Sequence, residues 1–462
     1  MSAHHKIVGS TTKHLHVLEQ GQRLGRSKSP NVVNAAIERQ ISFDAAILDT
    51  LDVKGCQPLH YDFLVLCAAI EFADRRWKRP RGWSRNLHLT MPVIDLTTWQ
   101  KPVVQEELTS VMRKLTGDDW QFTFVQAQNR SPIGERQGIL NFPTTKTFAI
   151  AYSDGLDSRA VSALSGTKDE GLCIRVANFR NRRKEGDSHF TQIPFKVKGY
   201  RSNESSFRSR GFQFAAVTAI VAHLANLTKV IVPESGQGAL GPVLLPLHNI
   251  YPDYRNHPTF FRRMERFVQS VLNHKLRYEQ PRLWSTKGQT LRAFLEIAGK
   301  AEDHLTSTRS CWQNRRIVNT EGEKKQCGLC AACLLRRLSL HAAGITEKLD
   351  AYVISDLSAP DLHQALSCLP RKADRDIMTA YGSVGARHLQ QLAEMADLPD
   401  SDLRAHAWEI AEATGAGYAE TLGKLKVLLM THAQEWQAFL STQGEQSFLK
   451  SWMEGGRYGR PE

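Results

Sequence analysis

The sequence predicts an α/β chain built on a doubly wound parallel sheet, flanked by an N-terminal α+β domain and a C-terminal helical domain. Three observations carry that prediction. Apolar strand-like runs alternate with helical stretches through the middle of the chain. A polar loop, Ser153-Asp154-Gly155-Leu156-Asp157-Ser158, joins the first of those strands to a helix. Four of the eight cysteines crowd into residues 311–333.

In chain order, residues 1–40 are weakly patterned and read as an arm, followed by an accessory α+β domain over 41–140. Within it, 60–77 places Phe63, Leu66, Cys67, Ile70 and Ala73 at helical spacing. Strands are expected over 87–94 and 120–124 and a helix over 103–115. Residues 129–143, with two prolines and two glycines, form the boundary to the central domain over 146–345. There the strands are 147–152, 172–177 and 229–232, and the helices 159–164 and 211–227. In a doubly wound sheet ligands bind at the carboxyl ends of the strands, where the loops 153–158 and 233–240 would both lie. Beyond Gly344 the pattern is helical, with helices over 386–396, 403–413 and 418–440 separated by turn signals such as Leu398-Pro399-Asp400. This domain, 346–462, reads as a partner-docking element or lid, or simply as completion of the core.

Composition bounds the function. With 462 residues, 41% of them hydrophobic, the chain is a globular protein of two or three domains. Residues 1–10 lack the apolar centre of a signal peptide, and 211–227 contains Gln213, His223 and Asn226, too polar and short for a bilayer span. A cytoplasmic protein is expected, in which clustered cysteines are metal ligands or catalytic thiols. The net charge of +13 admits nucleic acid, acidic partners or nucleotide substrates without choosing among them. Ten Lys or Arg against three acidic residues between Arg175 and Arg210 make either a solvated loop face or a surface for phosphates.

Two constellations carry chemistry. At the strand–loop–helix junction, Gly155 allows close backbone approach, the helix start offers free N–H groups, and Ser153 and Ser158 add hydroxyls, which suits phosphate or pyrophosphate unless the loop is an ordinary polar turn. Cys311, Cys327, Cys330 and Cys333 suit tetrahedral zinc in a closed structural site, with Gly328 permitting a tight knuckle. The other four, Cys56, Cys67, Cys173 and Cys368, sit singly in mostly apolar contexts and read as core residues. His248, His257 and His274 have no metal-ligand spacing and read as surface polar groups.

On these residues the chain resembles the QueC-like (7-cyano-7-deazaguanine synthase) family of N-type ATP pyrophosphatases. The loop 153–158 is similar to that family's pyrophosphate loop, and the cysteine pattern followed by Leu334-Leu335-Arg336-Arg337 to its metal knob. Ser209-Arg210-Gly211-Phe212, Pro233-Glu234-Ser235-Gly236, Tyr251-Pro252-Asp253 and Thr286-Lys287 follow in the family's order. The resemblance covers about 146–345 and implies a HUP-type, adenine nucleotide alpha hydrolase-like fold. It departs where the family has Ser-Gly-Gly and this chain has Ser153-Asp154-Gly155, an extra carboxylate that can repel pyrophosphate or help hold magnesium. It departs also in the long gap between Cys311 and Cys327. The flanks, including 72–77 and 89–93, resemble the QueC-like component of Qat-type anti-phage defence systems, whose relatives act with partner proteins.

The resemblance implies an ATP-dependent carbon–nitrogen ligase that releases AMP and pyrophosphate, with ATP, Mg2+ and Zn2+ as cofactors and a 7-deazaguanine carboxylate as substrate. Ser153, Gly155 and Ser158 would hold the pyrophosphate, Asp157 would orient the loop or a magnesium ion, and Lys287 and Arg210 would stabilise charge. Glu234 and Asp253 would accept hydrogen bonds from the amino-pyrimidine edge of a deazapurine. The expected acceptor is an amine, a partner protein's N-terminus above all. The competing readings are the ammonia-using synthase, a zinc-containing nucleic-acid modifying protein, and a catalytically degenerate scaffold. Against nucleic acid, no aromatic-rich basic motif for stacking bases is visible.

Overall fold

The computed structural model describes residues 11–454 except 23–24, 26–28, 44–56, 81–83, 130–144, 154, 167–168, 178–190, 198–203, 205, 247–250, 300, 314–315, 321–322, 367 and 370. All of the expected boundary at 129–143 but Asn129, most of the basic run after Arg175, Asp154, His248 and Cys56 lie outside the described residues. The chain forms two compact units that interleave along the sequence. The first comprises Met1–Tyr152, Thr167–Val232 and Asp253–Glu279, the second Ser153–Gly166, Pro233–Pro252 and Gln280–Glu462.

Among the described residues the first unit holds ten strands: β1 (Lys13–Leu18), β2 (Val32–Ala36), β3 (Ile41–Phe43), β4 (Asn86–Val93), β5 (Asp119–Gln126), β6 (Phe148–Ala151), β7 (Gly171–Ala177), β8 (Thr191–Val197), β9 (Lys229–Ile231) and β10 (Arg277–Glu279). They make a four-stranded sheet ordered β2-β1-β4-β5 and a six-stranded sheet ordered β10-β9-β6-β7-β8-β3. The larger sheet is parallel except for β3, which pairs antiparallel with β8. From β6 the chain runs outward through β7 and β8, then returns to the other side for β9 and β10, the order reversal of a doubly wound sheet. The strand at the reversal is β6, which Ser153 follows in sequence. Its Phe148, Ala149 and Ile150 are buried, as a central parallel strand requires.

The N-terminal part departs from expectation. Within the expected arm, β1 and β2 are sheet strands: they pair in parallel, and β1 pairs with β4 from Lys13↔Leu87 to His16↔Thr90. The strand signal was hidden because His14 and His16 alternate with the buried Leu15 and Val17, so the run looks polar while its period of two is intact. With β4 and β5 parallel as well, this region is parallel α/β rather than α+β. Its helix Pro58–Arg76 opens on proline and ends on Arg75 and Arg76, matching the helix dipole.

A buried ion network ties this unit together. Asp74 and Asp118 each accept from Arg79 and Arg85, at 2.5–2.7 Å, with every side chain at most 5% exposed. Burial would raise the Asp74 carboxyl, yet the two guanidinium groups and the Ser209 N–H hold it below the usual carboxylate range. Removing either partner would strand a buried charge.

The second unit is helical. Its longest helices are Lys372–Glu394, Asp400–Thr414 and Tyr418–Ser441. Cys311, Cys327, Cys330 and Cys333 share one hydrophobic core with the first and last of these helices, through Leu334, Leu338, Met378, Ala386, Leu389, Trp436 and Phe439, whereas Leu403, Ala407 and Ile410 of Asp400–Thr414 lie in a separate cluster with Leu425 and Leu428. Packing is close enough that a Cβ on Gly385 would meet the Ala331 Cα at 2.8 Å. Among the described residues no helix is long and apolar enough to cross a membrane.

Candidate active site and metal centre

Three helix starts in the second unit come together on one carboxylate. Asp157 is the second residue of the helix Leu156–Ser165, Ser235 is the N-cap of Gly236–Leu244, and Lys287 opens Lys287–Ala298. Ser235 Oγ donates to Asp157 Oδ1 at 2.8 Å, and Lys287 Nζ donates to Asp157 Oδ2. Glu234 completes the group, its Oε1 3.6 Å from Lys287 Nζ. Each helix start brings a positive dipole end to the group, which favours the negative charge of Asp157 and of an anion beside it, while the Gly236, Lys287 and Gln289 N–H groups are already taken by Ser285, Gln237 and Thr286.

The electrostatics are coupled. Burial pushes the Glu234 carboxyl up to about 7, the neighbouring Asp157 charge adds to the rise, and Lys287 opposes it. Burial disfavours the Lys287 ammonium, but the Asp157 and Glu234 charges outweigh it and hold its pKa above the ordinary lysine value. Lys287 is therefore a fixed cation. Gly238 makes room for this geometry, since a Cβ there would lie 2.2 Å from Glu234 Oε1.

The 153–158 loop folds on its own serines. Ser158 Oγ accepts from the Ser153 N–H at 3.1 Å and lies 2.8 Å from Ser153 Oγ, which in turn accepts from the Gly155 N–H at 3.2 Å. Leu156 contributes only backbone. Its side chain is buried with Ala160, Leu291, Phe294, Leu305 and Leu340, anchoring the helix rather than facing a ligand. Both Asp157 oxygens are engaged, by Ser235 and Lys287, which favours its loop-orienting role over that of a magnesium ligand.

Of the expected site residues, the structure unites Ser153, Gly155, Asp157, Ser158, Glu234 and Lys287 in the second unit. Arg210 and Asp253 belong to the first. Arg210 opens the helix Arg210–Leu224, with its guanidinium 5.1 Å from the Phe214 ring centroid. Asp253 is occupied by Arg255, whose Nε lies 2.9 Å from both carboxylate oxygens. Although burial would raise it, Arg255 keeps Asp253 below the usual carboxylate range, so its acceptors are already committed.

Cys311, Cys327, Cys330 and Cys333 are all buried, with their Sγ atoms within 4.8 Å of one another. Cys327 and Cys333 Sγ are 3.7 Å apart, against the ~3.8 Å edge of a tetrahedron with Zn–S bonds of ~2.3 Å. Backbone N–H groups of Cys327 and Cys330 point at Cys311 and Cys327 Sγ, at 3.2 and 3.3 Å, as donors that suit thiolate charge. Gly328 is required twice: its φ is +90°, and a Cβ would lie 2.2 Å from the Ile354 carbonyl oxygen. The donor set thus fits a closed zinc site of structural type. Cys330 is the N-cap of the helix Ala331–Ala342, so Cys333 sits in its first turn. Arg336, wholly buried, pairs with Glu347 at 2.6 Å and bonds Thr308, bracing the segment before Cys311.

Other expectations change with burial. Cys67 is buried as expected, Cys173 is half-buried and Cys368 exposed. His257 and His274 are buried structural groups, not surface ones: His257 caps the helix Pro258–Leu272, and His274 Nε2 lies 2.7 Å from the Leu227 carbonyl. Residues that sequence reasoning missed lie in the C-terminal helix, where His432 and Glu435 reach Gln237 and Thr286. Their sequence signal is a polar pair three residues apart beside the apolar stripe Leu425, Leu428, Leu429, Trp436 and Phe439 of an amphipathic helix.

No curated protein and no solved structure gives a significant match to the chain. Residues 246–344, the segment holding Lys287 and the four cysteines, match the family model of the queuosine biosynthesis protein QueC, and that match supports a QueC-like character for the chain.

Proposed function

We propose that the protein is an ATP-dependent carbon–nitrogen ligase that adenylates a 7-deazaguanine carboxylate and transfers it to an amine, the N-terminus of a partner protein, in anti-phage defence. The observation that carries the reading is Asp157 held between Ser235 and Lys287 at the meeting of three helix starts. Such a site stabilises a departing polyanion. The QueC match of 246–344 supports the substrate class.

The chemistry balances in two steps. A carboxylate oxygen bonds to the α-phosphorus of ATP as the bond to pyrophosphate breaks; then the amine nitrogen bonds to the acyl carbon, AMP leaves, and the amine loses a proton. The 153–158 loop and the helix starts receive the pyrophosphate, with Lys287 neutralising its charge. Zinc, held by the four cysteines, supplies folding energy and no step. An N-terminal amine, with an unperturbed pKa of ~7.7–8.0, offers more neutral nucleophile near pH 7 than lysine at ~10.4.

The test is incubation with ATP, 7-carboxy-7-deazaguanine and a co-expressed neighbouring protein, followed by nucleotide analysis and intact-mass sequencing of that protein. AMP, pyrophosphate and an acylated N-terminus are expected. Free 7-cyano-7-deazaguanine beside an unmodified N-terminus would return the protein to the synthase reaction, and ADP would overturn the mechanism.

A further inference from the structure

The helix Tyr418–Ser441 lies beyond the segment that the QueC family model matches, yet it reaches the turn that presents Lys287. The Lys287 backbone N–H donates to Gln237 Oε1 at 2.8 Å, which leaves the Gln237 amide nitrogen facing His432 Nδ1 at 2.6 Å. His432 Nε2 lies 2.9 Å from the Leu389 carbonyl. A carbonyl can only accept, so Nε2 carries the proton and Nδ1 is left to accept from Gln237. The chain of donors therefore has one direction, from Lys287 through Gln237 and His432 to Leu389.

One helical turn further along, Glu435 Oε1 accepts from the Thr286 hydroxyl at 2.7 Å, while Thr286 Oγ1 accepts from the Gln289 N–H at 3.0 Å as the helix cap. Gly288 admits that carboxylate, since a Cβ there would meet Glu435 Oε1 at 2.7 Å. His432 and Gln237 are 0% and 4% exposed. A polar relay this deeply buried has a geometric role, because an apolar pair would fill the same space without desolvation cost.

We propose that His432, through Gln237, and Glu435, through Thr286, are positioning residues that hold the Thr286–Lys287 turn so that the Lys287 ammonium sits on Asp157. The inference rests on Lys287 acting in the proposed ATP chemistry. Burial pushes His432 down to about 4, so its Nδ1 stays an acceptor throughout the neutral range.

The test uses the full-length chain with two readouts. His432→Leu keeps volume but removes the acceptor, and it should lower kcat for AMP formation about 10²-fold with little change in KM for ATP, the cost of misplacing a charge by about 1 Å. His432→Asn, which restores an acceptor toward Gln237, should recover much of that loss. Gln237→Met breaks the relay from the other side and should reproduce the Leu phenotype. Hydrogen exchange at the Lys287 amide, read without any turnover, should quicken in His432→Leu and Gln237→Met. Wild-type kcat and Lys287 protection in both variants, or equal loss in His432→Asn, would overturn the proposal. If wild-type protein makes no AMP, the functional reading fails while the exchange data still decide whether the relay holds the turn.

Discussion

At the scale of single residues, Asp157 accepts from two partners that lie 78 and 130 positions away in the chain. Asp157→Ala takes from Lys287 its closest carboxylate, leaving Glu234 at 3.6 Å, and leaves the Ser235 hydroxyl to Thr290, while Ser158→Ala removes the acceptor for the Ser153 N–H. Each should reduce AMP formation by about 10²–10³-fold, the scale seen when one preorganised electrostatic partner is lost, as measured by release of labelled pyrophosphate. Glu234 gives a pH signature. Its folded pKa is pushed up to about 7, chiefly by burial and then by Asp157, against ~4.3 in the unfolded chain. The folded state thus binds the extra proton, so this contribution to stability is complete below the unfolded value and is lost as the pH rises through 7. Glu234→Gln should flatten that decline, checked by denaturant midpoints at pH 5 and 8.

At the scale of elements, the site depends on how closely helices and loops approach. Gly238→Ala drives a methyl group into Glu234 and should destabilise the fold by about 1–3 kcal/mol, an overpacking cost, while shifting the pH dependence just described. In the cysteine knuckle, replacing any one of Cys311, Cys327, Cys330 or Cys333 by serine should lower zinc content from one per chain, read by elemental analysis. The helices were legible because their apolar spacing is strong: 103–115 is observed as Pro102–Thr116, and 418–440 as Tyr418–Ser441. The helix over 386–396 begins earlier, at Lys372, since Gly382 and Gly385 interrupt the apolar pattern where Trp452 and Ala331 press against the backbone.

At the scale of the whole molecule, the four clustered cysteines share one core with the helices Lys372–Glu394 and Tyr418–Ser441, so these C-terminal helices are no appendage. Chelation of zinc at pH 7 should therefore melt helical signal well beyond the knuckle, lowering far-UV ellipticity together with the Tm of the second unit. Loss of metal without loss of helix would show that the core stands without it. The sequence alone determined the elements whose signal is local: the parallel strand before Ser153, the loop-to-helix junction that follows it, the cysteine set and the helical C-terminus. Each depends on residues close in the chain, where period and spacing express the physics directly. Tertiary structure alone decided which distant residues share a charge. The Asp157 charge helps raise both Glu234 and Lys287 because folding brings the three together, and His432 and Glu435 gain a role only because Gln237 and Thr286 arrive beside them. No local pattern encodes those meetings, since a buried polar group is satisfied by whichever partner the packing supplies.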